Sequence, residues 1–209
     1  MPAIGITGGI STGKSTFCRH LLELMPEASF FDADKAARQL TDNDSAVQDE
    51  IRQAFGSDVF TSTGDLNRGQ IRVIILESAA KRGALEQILH PRIRSQWSAE
   101  AQRYRNSSEF FFADIPLLYE TGGEKLCDRV AVVACSPEVQ LNRLLARGMN
   151  KGGHRLGAEE ATEMIKAQMP LEHKVQRADY VVWNNDSERV MADQAGLLVD
   201  LWRKTWTAK

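Results

Sequence analysis

Five short apolar runs punctuate the chain. Ala3–Thr7 (AIGIT) comes first, then Ser29–Phe31, Phe110–Ala113 (FFFA), Arg129–Cys135 (RVAVVAC) and Asp179–Trp183 (DYVVW). Each is apolar on both faces rather than alternating, the pattern of strands covered by helices on two sides. Between them the spacing is helical. Ser15–Met25 gathers Phe17, Leu21, Leu22 and Leu24 on one side, and Pro26 ends it. Ser136-Pro137 reads as a helix start, with serine as the cap and proline at the first helical position. Its helix buries Val139, Leu141, Leu144 and Leu145 and stops at Gly148. Ala158–Gln168 buries Ala161, Met164 and Ile165, and Ser187–Lys204 packs Val190, Leu197, Leu198, Leu201 and Trp202. Strands alternating with helices predict an α/β fold with a parallel sheet.

Two segments break this rhythm. Thr41–Glu109 holds no convincing strand, only helical spacing: Val47, Ile51 and Phe55, then Ile71, Ile74 and Ile75, then Leu85, Ile88, Leu89, Ile93 and Trp97. A crossover of this length predicts a helical insertion able to cover a substrate. The second is GMNKGGHRLG at 148–157, whose glycines predict a mobile stretch. The resulting organisation is one domain: a core of 1–40 and 110–209, an insertion at 41–109 and a lid at about 147–158.

Polar residues stand directly after the strands. Gly8 follows the first, Asp32 and Asp34 the second, Asp114 the third, Ser136 the fourth and Asn184 the fifth. Ligands of open parallel sheets bind outside these carboxyl ends. The first such segment, GITGGISTGKST, fits G-x-x-x-x-G-K-[ST] over Gly8–Ser15, between a strand and a helix as the motif requires. Gly8, Gly9, Ser11, Thr12, Gly13 and Thr16 shape a backbone cradle for phosphates, and the helix N-terminus adds partial positive charge. Lys14 reaches the outer phosphates and the Ser15 hydroxyl suits Mg²⁺.

The remaining motifs narrow the nucleotide reaction. Asn150-Lys151 is followed by two glycines, so the N-K-x-D guanine contact is missing. Asp114 is followed by Ile115, Pro116 and Leu117, so D-x-x-G is missing too. A GTPase switch fits poorly, and so does a motor in so short a chain. A small-molecule kinase is the reading left. It needs a group to orient the acceptor hydroxyl and cations for the moving phosphoryl group. Asp32 and Asp34 would point to one side if the chain stays extended, although Asp34 also suits a helix cap near Lys35. Asp114 reads equally as a magnesium-organising acid and as a turn residue before Pro116. Arg143 and Arg147 share a helix face, either as lid cations or as a solvated basic face, and Lys151, His154 and Arg155 extend that charge.

Composition removes other classes. The chain has 209 residues and a net charge of −2, which argues against a surface devoted to nucleic acid. Cys18, Cys127 and Cys135 are widely spaced and read as buried thiols in a reducing compartment, without a zinc pattern. No leader pattern and no spanning apolar run are seen, so a soluble, cytoplasmic protein without a membrane partner is expected. Nothing in the sequence sets the oligomeric state.

Taken in order, GITGGISTGKST, DADKAARQL at 32–40, LNR at 66–68, LEQILHPRI at 85–93, DIPLLYE at 114–120, LNRLLAR at 141–147 and QRADYVVWNN at 176–185 resemble the dephospho-CoA kinase family over nearly the whole chain. The resemblance implies a P-loop kinase: a five-stranded parallel sheet flanked by helices, a helical substrate-binding insertion and a lid. It implies transfer of the ATP γ-phosphoryl group to the ribose 3′-hydroxyl of dephospho-CoA, with Mg²⁺. Asp34 matches the family's catalytic acid, Arg143 and Arg147 its lid arginines, and Asn184 an asparagine near the adenine. Asp32, Arg68, His90, Pro91, Asp114 and Leu117 fall in acceptor-site elements, with His90 also open to a helix-capping role, and Ser15 and Asp114 fall at the metal. The chain departs from the family at Arg147-Gly148, where Arg-Asp is usual, and in a longer, glycine-rich stretch up to Glu159.

Overall fold

A computed structural model describes residues 2–105, 107, 109–147 and 156–206. The strands are β1 (Ala3–Gly8), β2 (Ser29–Asp32), β3 (Phe111–Asp114), β4 (Arg129–Ala134) and β5 (Tyr180–Trp183), in the sheet order β2-β3-β1-β4-β5. β1 runs parallel to both β3 and β4, and β4 parallel to β5. The parallel five-stranded α/β sheet is therefore as expected. Every residue of β1 is buried, which is why its sequence is a continuous apolar and small run.

The chain forms two compact units, Met1–Phe31 with Ala99–Lys209, and Asp32–Ser98. In the first, α1 (Lys14–Leu24) and α9 (Glu188–Trp206) cover one face of the sheet. Phe17, Leu21, Met25, Met191, Val199 and Trp202 close over Ile4, Ile6, Phe112, Ala131, Val133 and Val182. Trp202 is fully buried, edge-on to Tyr180 at 5.7 Å and 5.5 Å from Phe112. α6 (Pro137–Arg147) and α7 (Ala158–Lys166) share a smaller cluster of Leu144, Leu156 and Ala161, against which Ile10 packs. The Ser136 hydroxyl accepts from Val139 N–H at 3.3 Å, so the serine-proline start of α6 is as the sequence predicts. The predicted stop at Gly148, the centre of the predicted lid, and Lys151, His154 and Arg155 lie outside the described residues.

The second unit contains α2 (Ala33–Asn43), α3 (Ser45–Phe55), α4 (Arg68–Glu77) and most of α5 (Ala79–Tyr104). Its core joins Leu40, Val47, Ile51, Val59, Leu66, Ile71 and Ile88. The unit begins at Asp32, where strand gives way to helix at Ala33, and ends at Ser98 within α5. Pro91 lies inside α5, where its missing N–H leaves the Gln87 carbonyl without the usual helical donor. Beside it, Arg92 donates to the Ile88 carbonyl at 2.7 Å and grips Glu50 through two nitrogens, at 2.6 and 3.2 Å. The sequence pattern missed α8 (Leu171–Gln176), which is too short to show a helical period.

The Trp202 contacts set an expected outcome. Trp202→Ala removes the largest side chain of the main core and should cost about 3–5 kcal/mol of unfolding free energy. Urea titration of wild type and variant measures the loss.

Candidate active site

Parallel strands bring their carboxyl ends to one edge, and the chemistry collects there. Ile6 is in register with Asp114 and Gly8 with Val133, so the loop leaving β1 emerges between the ends of β3 and β4. Space at that point is small. A Cβ on Gly8 would lie 2.5 Å from the Val133 carbonyl oxygen. The loop then turns through two left-handed residues, Ser11 (φ 60°) and Gly13 (φ 96°). Ser11 holds that conformation although it is not glycine, a local strain typical of functional loops.

The turn is fixed from outside the curve. Most of its carbonyls have donors: Gly8 from Lys174 Nζ at 3.3 Å, Gly9 from Thr12 Oγ1 at 2.9 Å, Ile10 from Gln140 Nε2 at 2.9 Å, and Thr12 from Asn184 Nδ2 at 2.8 Å. The Gly13 carbonyl accepts from Thr16 and Phe17 N–H at 3.0 and 3.1 Å. Ile10 N–H donates to Gln168 Oε1 at 2.9 Å. α1 has glycine at its N-cap, with no capping side chain and no acid in its first turn. Its first N–H groups, at Gly13, Lys14 and Ser15, therefore face an open, electropositive end suited to phosphate.

Lys14 and Asp114 pair directly, each side chain 13 % exposed. The second carboxylate oxygen of Asp114 accepts from Cys18 Sγ at 3.5 Å, one helical turn beyond Lys14. Of the two readings open for Asp114, the geometry favours the acid at the phosphate loop: it is the last residue of β3, not part of a turn. Ser15 is exposed on the open end of α1, and Thr16 is half-buried. A serine hydroxyl and a carboxylate are hard oxygen donors of the kind Mg²⁺ takes together with substrate phosphates and water, so the residues present fit that ion. Among the described residues no group of three His, Cys, Asp or Glu side chains could hold a metal alone.

Asn184 follows β5, and besides holding Thr12 it receives Arg143. Arg143 Nη1 donates to the Asn184 carbonyl at 2.8 Å and Nη2 to its Oδ1 at 3.4 Å. Arg143 is thus fixed at the sheet edge by α6, while Arg147 is exposed at the end of that helix. Leu117 is half-buried in the segment after β3, where its carbonyl accepts from Thr121 N–H at 3.0 Å. Further along, burial pushes the Tyr119 hydroxyl up to about 12 and the Cys127 thiol up to about 12, so both are neutral at physiological pH.

The second unit carries the other predicted residues. Asp32, not Asp34, caps α2: its Oδ1 accepts from Lys35 N–H at 2.9 Å. The chain does not stay extended through Asp34, because the helix has begun at Ala33. Asp34 sits exposed in the first turn of α2. His90 is half-buried in mid-α5, so the capping alternative for it fails. Pro91 is exposed beside it. Arg68 starts α4 and donates to Asp42 at 2.5 Å and to Thr41 Oγ1 at 3.3 Å. It borders a groove with an apolar floor of Leu66, Ile71, Ile75 and Leu85, along which Arg38 and Arg72 also lie.

A family profile described as dephospho-CoA kinase matches residues 2–189. The chain belongs to the dephospho-CoA kinase family. A Bacillus cereus protein named dephospho-CoA kinase is 37% identical over 204 residues, covering 97% of this chain and 96% of its own. A Thermus thermophilus crystal structure is 29% identical with a TM-score of 0.73, covering 96% and 97% of the two chains. The dephospho-CoA kinase from Campylobacter jejuni, at 24% identity and TM-score 0.71 over 97% and 98% of the two chains, shares the fold. Membership makes this chain a kinase of CoA biosynthesis that transfers phosphate to an alcohol group. Sequence reasoning missed Gln140, Gln168 and Lys174, each too isolated in its helical or loop segment to stand out before the fold placed it behind the phosphate loop.

Gly13 yields the next expected outcome. A methyl group there would lie 2.1 Å from Asn184 Nδ2, on a backbone that L side chains rarely adopt. Gly13→Ala should weaken ATP binding by about tenfold or more, roughly 1.4 kcal/mol. Calorimetric titration of the two proteins with ATP checks it.

Proposed function

We propose that the protein transfers the γ-phosphoryl group of ATP to the ribose 3′-hydroxyl of dephospho-CoA, giving CoA and ADP. The observation that carries this reading is the uncapped, glycine-turned start of α1, with Lys14 and Asp114 joined beside it, in a chain of this family. Gly8, Gly9, Ser11, Thr12 and Gly13 form the cradle for the ATP phosphates, with Lys14 on the outer ones. Ser15 and Asp114 would hold Mg²⁺, which when bound neutralises phosphate charge. Arg143 and Arg147 supply further positive charge to the phosphoryl group in transit. Asn184 serves the nucleotide site by holding the Thr12 carbonyl and the Arg143 guanidinium.

The second unit takes the acceptor. Arg38, Arg68 and Arg72 suit the diphosphate of dephospho-CoA, and the apolar floor suits its pantetheine arm. His90, Pro91, Asp32 and Leu117 belong to the same acceptor reading. Asp34 orients the 3′-hydroxyl and accepts its proton while the new O–P bond forms and the bond from Pγ to the ADP oxygen breaks. An exposed carboxylate at a helix start is free to approach a substrate hydroxyl, as a capping Asp32 is not. We place the reaction in the cytoplasm, on three cysteines that form no disulfide. No helix among the described residues is long and apolar enough to cross a membrane.

Coupled ADP release with a panel of acceptors tests the reading. Dephospho-CoA should stimulate release strongly, and simple nucleosides little. The reading fails if dephospho-CoA gives no stimulation. Asp34→Asn should keep ATP affinity and lose about a hundredfold or more in kcat, the range of general-base contributions.

A further inference from the structure

We propose that Lys174 is a positioning residue of the donor site, an ammonium that locks the start of the phosphate loop to the segment leaving β3. The inference rests on the ATP-donor reading above. Lys174 is fully buried, at 0 % exposure, on the short helix α8. An ammonium has three donors and is costly to bury unless all are used. Here each has an acceptor: Glu120 Oε1 at 2.8 Å, the Pro116 carbonyl at 3.0 Å and the Gly8 carbonyl at 3.3 Å.

The two carbonyls belong to the two segments that carry the chemistry. Gly8 opens the loop that ends in Lys14, and Pro116 closely follows Asp114. Thr7 Oγ1 donates to the same Pro116 carbonyl at 2.9 Å, so the tie between these strand ends is double. Glu120 also accepts from Met169 N–H at 2.9 Å, next to Gln168, whose Oε1 accepts from Ile10 N–H. Lys174 thus sits at the hub of a network that reaches the loop at Gly8 and Ile10.

A buried ion pair adds little net stability, and an apolar pair often replaces it without loss. Two backbone carbonyls in a site that must keep its amides aimed at phosphate explain the lysine better. Its removal should therefore disturb phosphate recognition and leave base recognition alone. This separates a positioning role from a general structural one, which would weaken both.

The test is Lys174→Met, which keeps length and removes the donors. Circular dichroism confirms folding, and titrations with ATP and with adenosine follow. ATP affinity should fall about tenfold, with kcat falling as well, while adenosine affinity stays within about twofold. If Lys174→Met does not fold, Lys174→Gln, which retains an N–H donor, carries the same comparison with a smaller ATP loss. Equal loss for ATP and adenosine, no change in either, or failure of both variants to fold overturns the assignment. Wild type binding ATP while the variant's ratio is unchanged leaves the donor reading standing. Wild type that binds no ATP removes the donor reading, and this inference with it.

Discussion

A loop that aims its amides at phosphate must turn its carbonyls the other way, and buried carbonyls need donors. That accounting organises the donor site. Lys174, Gln140 and Asn184 reach the loop from three separate segments and satisfy Gly8, Ile10 and Thr12. The glycines that permit the turn also permit this support, since a side chain at Gly9 would lie 2.6 Å from Gln140 Nε2. The cradle is therefore built by the protein behind it as much as by its own motif.

The same arrangement links function to the core. β1 is the central strand, buried along its whole length, and the loop is its continuation. α1 is anchored on the sheet by Phe17 and Leu21 while its first turn stays open. Cys18, on the same helix, reaches Asp114, so helix packing and the Lys14–Asp114 pair are set together. Ile10 packs into the cluster under α6 and α7, joining the tip of the loop to the helices around the predicted lid.

Much of this was legible in the sequence, for physical reasons. Doubly buried strands leave continuous apolar runs, and the phosphate loop is local in sequence, so both could be read directly. The strand-end rule placed Asp114 and Asn184 correctly at the sheet edge. What was not legible depends on long-range placement. Gln140 looks like any polar residue on an amphipathic helix, yet the fold buries it against Ile10. Lys174 lies in a helix too short for a period. The geometry of Asp32 and Asp34 hung on one residue: helix onset at Ala33 turned Asp32 into the cap and left Asp34 exposed.

The central claim is that donors to its carbonyls shape the loop for phosphate. A crystal structure of the protein with ADP bound tests it most directly. The expected result is phosphate oxygens against the N–H groups of Gly13, Lys14 and Ser15, with the Lys174–Gly8, Gln140–Ile10 and Asn184–Thr12 hydrogen bonds intact. A loop that rebuilds on binding, breaking those three bonds to admit the nucleotide, would contradict it.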